Sequence, residues 1–97
     1  MGFFQKLFGK SKKDELKALL ETGALLIDVR SRDEFNAGHA AKAINIPLQM
    51  LIQSAEWLKG KSVIAVCKSG ARSAMAATML QKEGINAFNG GAWDNWQ

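Results

Sequence analysis

Ser62-Val63-Ile64-Ala65-Val66-Cys67-Lys68-Ser69-Gly70-Ala71-Arg72-Ser73 is the stretch that decides the fold. Its first part, Ser62 to Val66, is a short continuous apolar run. Bounded by turn residues, such a run predicts a strand buried on both faces. The strand delivers Cys67 at its end, and residues 68–72 form a tight loop. Ser73 to Glu83 is rich in Ala, Met and Leu and predicts a helix, ended by Gly84. Small residues at 74, 76 and 77 let that helix lie close to a sheet. Strand, tight loop and helix in this order are the unit of a parallel α/β sheet.

The same alternation continues outward. Upstream, Ser11 followed by Asp14 signals a helix start, and Leu16, Leu19 and Leu20 supply its apolar face. Gly23 fits the left-handed position after that helix. Ala24-Leu25-Leu26-Ile27 then runs unbroken into Asp28-Val29-Arg30 and predicts a second buried strand. Ser31 and Glu34 read as a capping box that opens a short helix stopping at Gly38-His39. Ala43 to Ile46 is a short strand closed by Pro47. Leu48, Leu51, Ile52, Ala55 and Leu58 share one helical stripe, so residues 48–58 predict a helix ended by Gly60. Downstream, Asn86-Ala87-Phe88 is a last short strand, and Asn89-Gly90-Gly91 turns into a terminal turn bearing Trp93 and Trp96. The expected fold is one small α/β domain with a mainly parallel central sheet flanked by helices. Ligands in such sheets bind beyond the carboxyl ends of the strands, where Cys67 sits.

With 97 residues the chain holds one small core, and 47% hydrophobic residues suit a globular domain. The net charge of +4 hints at nucleic acid or an anionic surface. The distribution weakens the hint. Lys6, Lys10, Lys12 and Lys13 account for four of the thirteen basic residues, leaving nine against nine acidic ones. The basic character belongs to an N-terminal segment rather than to a binding face, and no nucleic-acid partner is expected. Residues 1–12 are expected to be a basic amphipathic arm and 13–97 the domain. Phe3, Phe4, Leu7 and Phe8 have helical spacing beside lysines, which allows a weak membrane-surface contact. They are too few for a secretory signal or for the roughly 20 apolar residues of a membrane span. A single cysteine forms no internal disulfide, and no Cys/His cluster suggests a metal, so the expected compartment is the cytoplasm.

A cysteine at the end of an apolar strand is ordinarily a small buried hydrophobe. The neighbouring residues argue otherwise here, because a core cysteine needs no Gly, Lys or Arg beside it. A loop that curls from strand into helix can turn successive amide N–H groups inward as a nest for an anion. The following helix adds the positive end of its dipole. Gly70 supplies freedom where the curl is tightest. A cysteine facing such a nest has a depressed pKa and stands as a thiolate. Lys68 and Arg72 add cationic charge, and Arg72 can fork two hydrogen bonds onto an oxyanion.

Cys67-Lys68-Ser69-Gly70-Ala71-Arg72-Ser73 resembles the active-site loop of single-domain rhodanese sulfurtransferases: a cysteine, four residues, an arginine, then Ser or Thr. Leu26-Ile27-Asp28-Val29-Arg30 resembles the family's Asp-Val-Arg strand. Glu34-Phe35-Asn36-Ala37-Gly38-His39 resembles its Glu-aromatic-x-x-Gly-His segment. Ala43-Ile44-Asn45-Ile46-Pro47 resembles the strand that follows, and Asn89-Gly90-Gly91 with Trp93 and Trp96 its terminal Gly-Gly segment. The match runs in the family's order over about residues 13–97. It departs where the family has an opening edge strand, because the Lys-rich segment 9–13 stands there. It departs again at Gln97, where the family's final helix is expected to be truncated or absent. The fold implied is a sheet of about four to five strands with helices on both faces, the first edge strand reduced or missing.

The resemblance implies sulfur transfer through Cys67, which takes a sulfane sulfur from a small anionic donor such as thiosulfate and passes it to a thiol or protein acceptor. Lys68, Ser69, Gly70, Ala71, Arg72 and Ser73 form the substrate-binding loop, with Lys68 and Arg72 orienting donor oxygens or, as the alternative for Arg72, the arginine mainly bracing the loop. Asp28 and Arg30 are expected as a supporting ion pair, and His39 as a residue fixing the turn after its helix, since a preformed thiolate needs no base. No cofactor and no metal are implied, and a monomer is expected. One alternative is a dedicated protein-to-protein sulfur carrier or docking module, because fold does not fix function. A cysteine-dependent phosphatase or arsenate reductase fits less well. Protein tyrosine phosphatases place five residues between Cys and Arg, whereas four stand here, and the loop holds no acid to protonate a leaving group.

Overall fold

A computed structural model of the chain describes residues 11–97. The expected N-terminal arm and its membrane contact therefore lie, up to residue 10, outside the described residues. Ser11 caps the first helix, α1 (Lys12–Glu21), its Oγ accepting from the Asp14 amide at 3.1 Å. Gly23 (φ 117°) turns the chain into β1 (Leu25–Asp28). The Ser31/Glu34 capping box is present at the start of α2 (Arg32–Ala37). Next come β2 (Ile44–Asn45), α3 (Ala55–Leu58), β3 (Ser62–Cys67), α4 (Ala71–Lys82) and β4 (Asn86–Ala92). A 3₁₀ turn at Trp93–Trp96 follows β4.

The four strands form one sheet in the order β2-β1-β3-β4, and every pairing is parallel. This is the expected α/β architecture, with a wholly rather than mainly parallel sheet. Alternation along β3 divides the core. Val63, Ala65 and Cys67 face one layer with Leu51, Leu58, Ala76, Ala77 and Leu80. Ile64 and Val66 face the other, with Leu16, Leu26, Ala40 and Trp96. Both faces are thus covered, as the unbroken apolar strands require. Cys67 falls by this alternation on the α4 face, at the carboxyl end of its strand. The place of the expected opening edge strand, ahead of α1, lies outside the described residues. None of their helices is long and apolar enough to cross a membrane.

Three elements differ from the sequence expectation. Residues 48–58 do not form one helix. Two 3₁₀ turns, Leu48–Met50 and Ile52–Ser54, precede the single turn of α3. Ser54, at φ −92° and ψ −2°, breaks the segment, yet Leu51, Ala55 and Leu58 still point inward while Ile52 faces solvent. Helix α4 begins at Ala71, two residues before Ser73, because Gly70 in the left-handed region (φ 109°) turns the chain at once. Strand β4 continues past Phe88 to Ala92 through a bulge. Ala65 pairs Asn89 and Val66 pairs Gly91, leaving Gly90 as the extra residue.

Candidate active site

Cys67 is 1% exposed, and its Sγ is surrounded by donors from the loop and from α4. The Gly70 amide donates to Sγ at 3.0 Å and the Ser73 amide at 3.4 Å. The Ser73 hydroxyl lies 3.4 Å from it. Gly70 is the N-cap of α4 and has no side chain to satisfy the first-turn amides, so the sulfur caps the helix instead. Burial pushes the Cys67 thiol up. The hydrogen bonds of the Ser73 hydroxyl and of the Ser73, Gly70 and Ser69 amides outweigh burial and hold it below the ordinary thiol value. Helix α4 is long enough for its dipole to favour negative charge at this position.

Lys68 and Ser69 are exposed at the mouth of the loop, and Ala71 opens α4. Lys68 belongs to no ion pair among the described residues. Arg72, expected to face donor oxygens, has its guanidinium on a protein carboxylate instead. Its Nη1 donates to Glu34 Oε1 at 2.8 Å and its Nη2 to Oε2 at 3.1 Å. This fork ties the first turn of α4 to α2, across 38 residues of sequence. It also offsets the placement of a cation at the positive end of a helix. Arg72 is held more firmly in its charged form, chiefly by that hydrogen bond, and beyond it by the charges of Glu34, Cys67 and Asp28.

Glu34 serves two structures at once. Its Oε1 also accepts from the Ser31 amide at 3.0 Å to complete the α2 capping box. The Arg72 fork, followed by the Ser31 amide bond, lowers its carboxyl to about 2. A depressed carboxylate contributes stability that is complete above its ordinary value near 4.5 and disappears as pH falls through about 2. Both side chains are about a third exposed, 38% for Arg72 and 35% for Glu34. Solvent screening therefore limits the contribution to about 1 kcal/mol. Glu34→Gln keeps a capping-box residue while removing the charge. Urea denaturation is expected to show wild type ahead of this variant at pH 7 and the gap closing as pH falls from 4.5 toward 2. A gap independent of pH would contradict the assignment.

Asp28 and Arg30 form a buried pair at the end of β1, with Asp28 0% exposed. Arg30 Nη2 donates to Asp28 Oδ2 at 2.7 Å and to the Gly38 carbonyl at 2.7 Å, and Nε to Oδ1 at 2.9 Å. The guanidinium carbon lies 4.5 Å from the centre of the Trp93 ring. Asn45 Nδ2 donates to the carbonyls of Asp28 and Arg30, each at 3.0 Å, and fixes this corner from β2. His39 is exposed, donates from Nδ1 to the Phe35 carbonyl at 2.8 Å and stacks on the Phe35 ring at 3.8 Å. Among the described residues no hydrogen bond joins it to the Cys67 loop.

Asn89 was not singled out by sequence reasoning beyond its place before Gly90-Gly91, yet it closes the far side of the site. Its Oδ1 accepts from Ser73 Oγ at 2.7 Å and from the Gly91 amide at 2.9 Å, and its Nδ2 donates to the Gly70 carbonyl at 3.2 Å. These contacts join residues 16 and 19 positions apart, which no local pattern reports.

Residues 12–97 match the model of the Rhodanese-like domain family. The chain belongs to this family. Among its relatives is thiosulfate sulfurtransferase 18 of Arabidopsis thaliana, 34% identical, with 84% of this chain and 73% of the relative covered. A tRNA sulfurtransferase of Thermoplasma acidophilum is 36% identical over 75% of this chain, which spans only 15% of that protein. In three dimensions the chain is similar to a rhodanese-like domain protein of Staphylococcus aureus. That match has a TM-score of 0.73 and 30% identity, covering 88% of this chain and 87% of the other. The rhodanese-like domain thus occurs both as most of a protein and as a small part of a larger one.

Proposed function

We propose that this rhodanese-like domain moves a sulfane sulfur from a small anionic donor such as thiosulfate to a thiophilic acceptor through a persulfide on Cys67. The supporting observation is the sulfur itself, buried at a strand end with two amides and a hydroxyl directed at it. In the first step the Cys67 thiolate attacks the outer sulfur of thiosulfate. A Cys67–sulfur bond forms, the donor's sulfur–sulfur bond breaks, and sulfite leaves with its electron pair. In the second step an acceptor thiolate attacks the outer sulfur, a bond from the acceptor to that sulfur forms, the bond from Cys67 to it breaks, and Cys67 departs as the thiolate. The amides at Sγ stabilise Cys67 as the attacking and the departing thiolate, and Lys68 at the mouth draws in the anion. Being the only cysteine, Cys67 has no internal resolving partner, so the sulfur leaves the chain.

Mass spectrometry after treatment with thiosulfate tests this. A one-sulfur adduct is expected on Cys67, discharged by added thiol and absent after prior alkylation. No adduct with thiosulfate or any other sulfane donor would sink the proposal. A second reading, a protein-to-protein sulfur carrier, is favoured by the Arg72 fork onto Glu34. That fork leaves Lys68 as the loop's cation for a small dianion. Loading by a persulfidated protein but hardly by thiosulfate would select this reading.

A further inference from the structure

Ser73 is fully buried and stands between two acceptors with a single hydroxyl proton. Its Oγ is 2.7 Å from Asn89 Oδ1 and 3.4 Å from Cys67 Sγ. The orientation of the Asn89 amide is dictated by backbone on both sides. The Gly91 N–H requires the oxygen at 2.9 Å, and the Gly70 carbonyl requires the nitrogen at 3.2 Å. Asn89 consequently presents an acceptor to Ser73 and draws its proton away from the sulfur.

With Cys67 as a thiol, this arrangement is complete. The S–H donates to Ser73 Oγ, and the Ser73 O–H donates to Asn89 Oδ1. With Cys67 as a thiolate, the sulfur has only lone pairs to offer, and the hydroxyl must swing to it. Asn89 Oδ1 then keeps only the Gly91 amide. We propose that Asn89 is a positioning residue that competes with Cys67 for the Ser73 hydroxyl and so restrains ionisation of the sulfur. The sequence reading placed Ser73 in the loop, but the opposing acceptor comes from β4. Under the sulfur-transfer proposal above, the hydroxyl returns to Asn89 once Sγ is bonded to a second sulfur and carries no charge. The same contact that restrains the thiolate then favours the loaded state.

The charged groups around Cys67 are Lys68 in the loop, Arg72 on α4, its partner Glu34 on α2, and the Asp28–Arg30 pair at the end of β1. Substitutions at Asn89 and Ser73 leave all of them in place. The test is an ultraviolet titration of the thiolate in wild type, Asn89→Ala, Ser73→Ala and the double variant, with circular dichroism to check folding. It needs no sulfur donor, so its outcome is independent of whether Cys67 transfers sulfur. At a pH below the midpoint, Asn89→Ala is expected to raise the thiolate fraction about three- to tenfold, the worth of one hydrogen bond. Ser73→Ala is expected to lower it by a similar factor, and adding Asn89→Ala to that background to change nothing. A lower thiolate fraction in Asn89→Ala, or an equal change in both backgrounds, would overturn the proposal and leave Asn89 as a brace for Gly70 and Gly91. If Asn89→Ala does not fold, Asn89→Asp replaces it. Asn89→Asp is expected to lower the thiolate fraction more with Ser73 present than in the Ser73→Ala background, and equal falls would overturn the proposal.

Discussion

Cys67→Ser is expected to lose sulfurtransferase turnover by about 10³-fold or more while staying folded. The loss follows from what the site lacks as much as from what it holds. The cradle works by easing ionisation of the sulfur, since amides and a hydroxyl lower the Cys67 thiol but nothing in contact with it takes up a proton. A serine hydroxyl there stays protonated at neutral pH, and three hydrogen bonds do not bridge the gap to an alkoxide. His39, the one histidine of the chain, is held on the Phe35 carbonyl and ring and supplies no base. The fold tolerates the change because a serine oxygen can accept from the Gly70 amide in place of the sulfur. Steady-state assay with thiosulfate and an acceptor thiol checks the result. Turnover within tenfold of wild type would mean that sulfur moves by a route that avoids Cys67.

The second large effect is on stability. Arg30→Ala is expected to cost about 3–5 kcal/mol, because it strands a carboxylate that is 0% exposed. Small domains hold roughly 5–15 kcal/mol in all, so this single change removes a large share of the total. The substitution removes the three side-chain bonds to Asp28, frees the Gly38 carbonyl and uncovers the face of Trp93. Only the Arg30 amide, 3.0 Å from Asp28 Oδ1, still serves the carboxylate. The penalty lies in the unpaired charge, so Asp28→Asn combined with Arg30→Met is expected to lose less than Arg30→Ala alone. Urea denaturation of the two variants checks both statements. A loss below about 1 kcal/mol for Arg30→Ala would show that water reaches Asp28 and that the pair is not a keystone of the site.

The parts of the fold that were legible in the sequence are those written in local pattern. Leu25 to Asp28 and Ser62 to Cys67 announce buried parallel strands by unbroken apolar composition. Ser31 and Glu34 announce a capping box three residues apart. Cys67, Gly70 and Arg72 announce a strand-to-helix curl that can hold an anion. The segment 48–58 shows where pattern falls short. Its apolar stripe correctly marks Leu51, Ala55 and Leu58 as inward-facing, but a stripe does not distinguish one helix from successive tight turns. Long-range polar contacts were not legible at all. Nothing near Arg72 names Glu34 as its partner, and nothing near Ser73 names Asn89. Both pairs arise because the parallel topology gathers the carboxyl ends of β1, β3 and β4 at one edge of the sheet.

The bulge in β4 has a consequence for how separate molecules meet. Among the described residues β4 is an outer strand, and its seven residues give it the longest free edge of the sheet. A regular edge of that length is a template on which a second chain can add a strand and begin an aggregate. Gly90 interrupts the template, since the extra residue throws the free amides and carbonyls beyond it out of step. The glycine itself is enforced from inside. A methyl group at residue 90 would stand 2.7 Å from Ile64 Cγ2 and 3.0 Å from Val66 Cγ1. The opposite edge, β2, is only two residues long and offers little to pair with. The irregularity beside Asn89, the residue that meets Ser73, thus also interrupts the edge on which a second copy could pair.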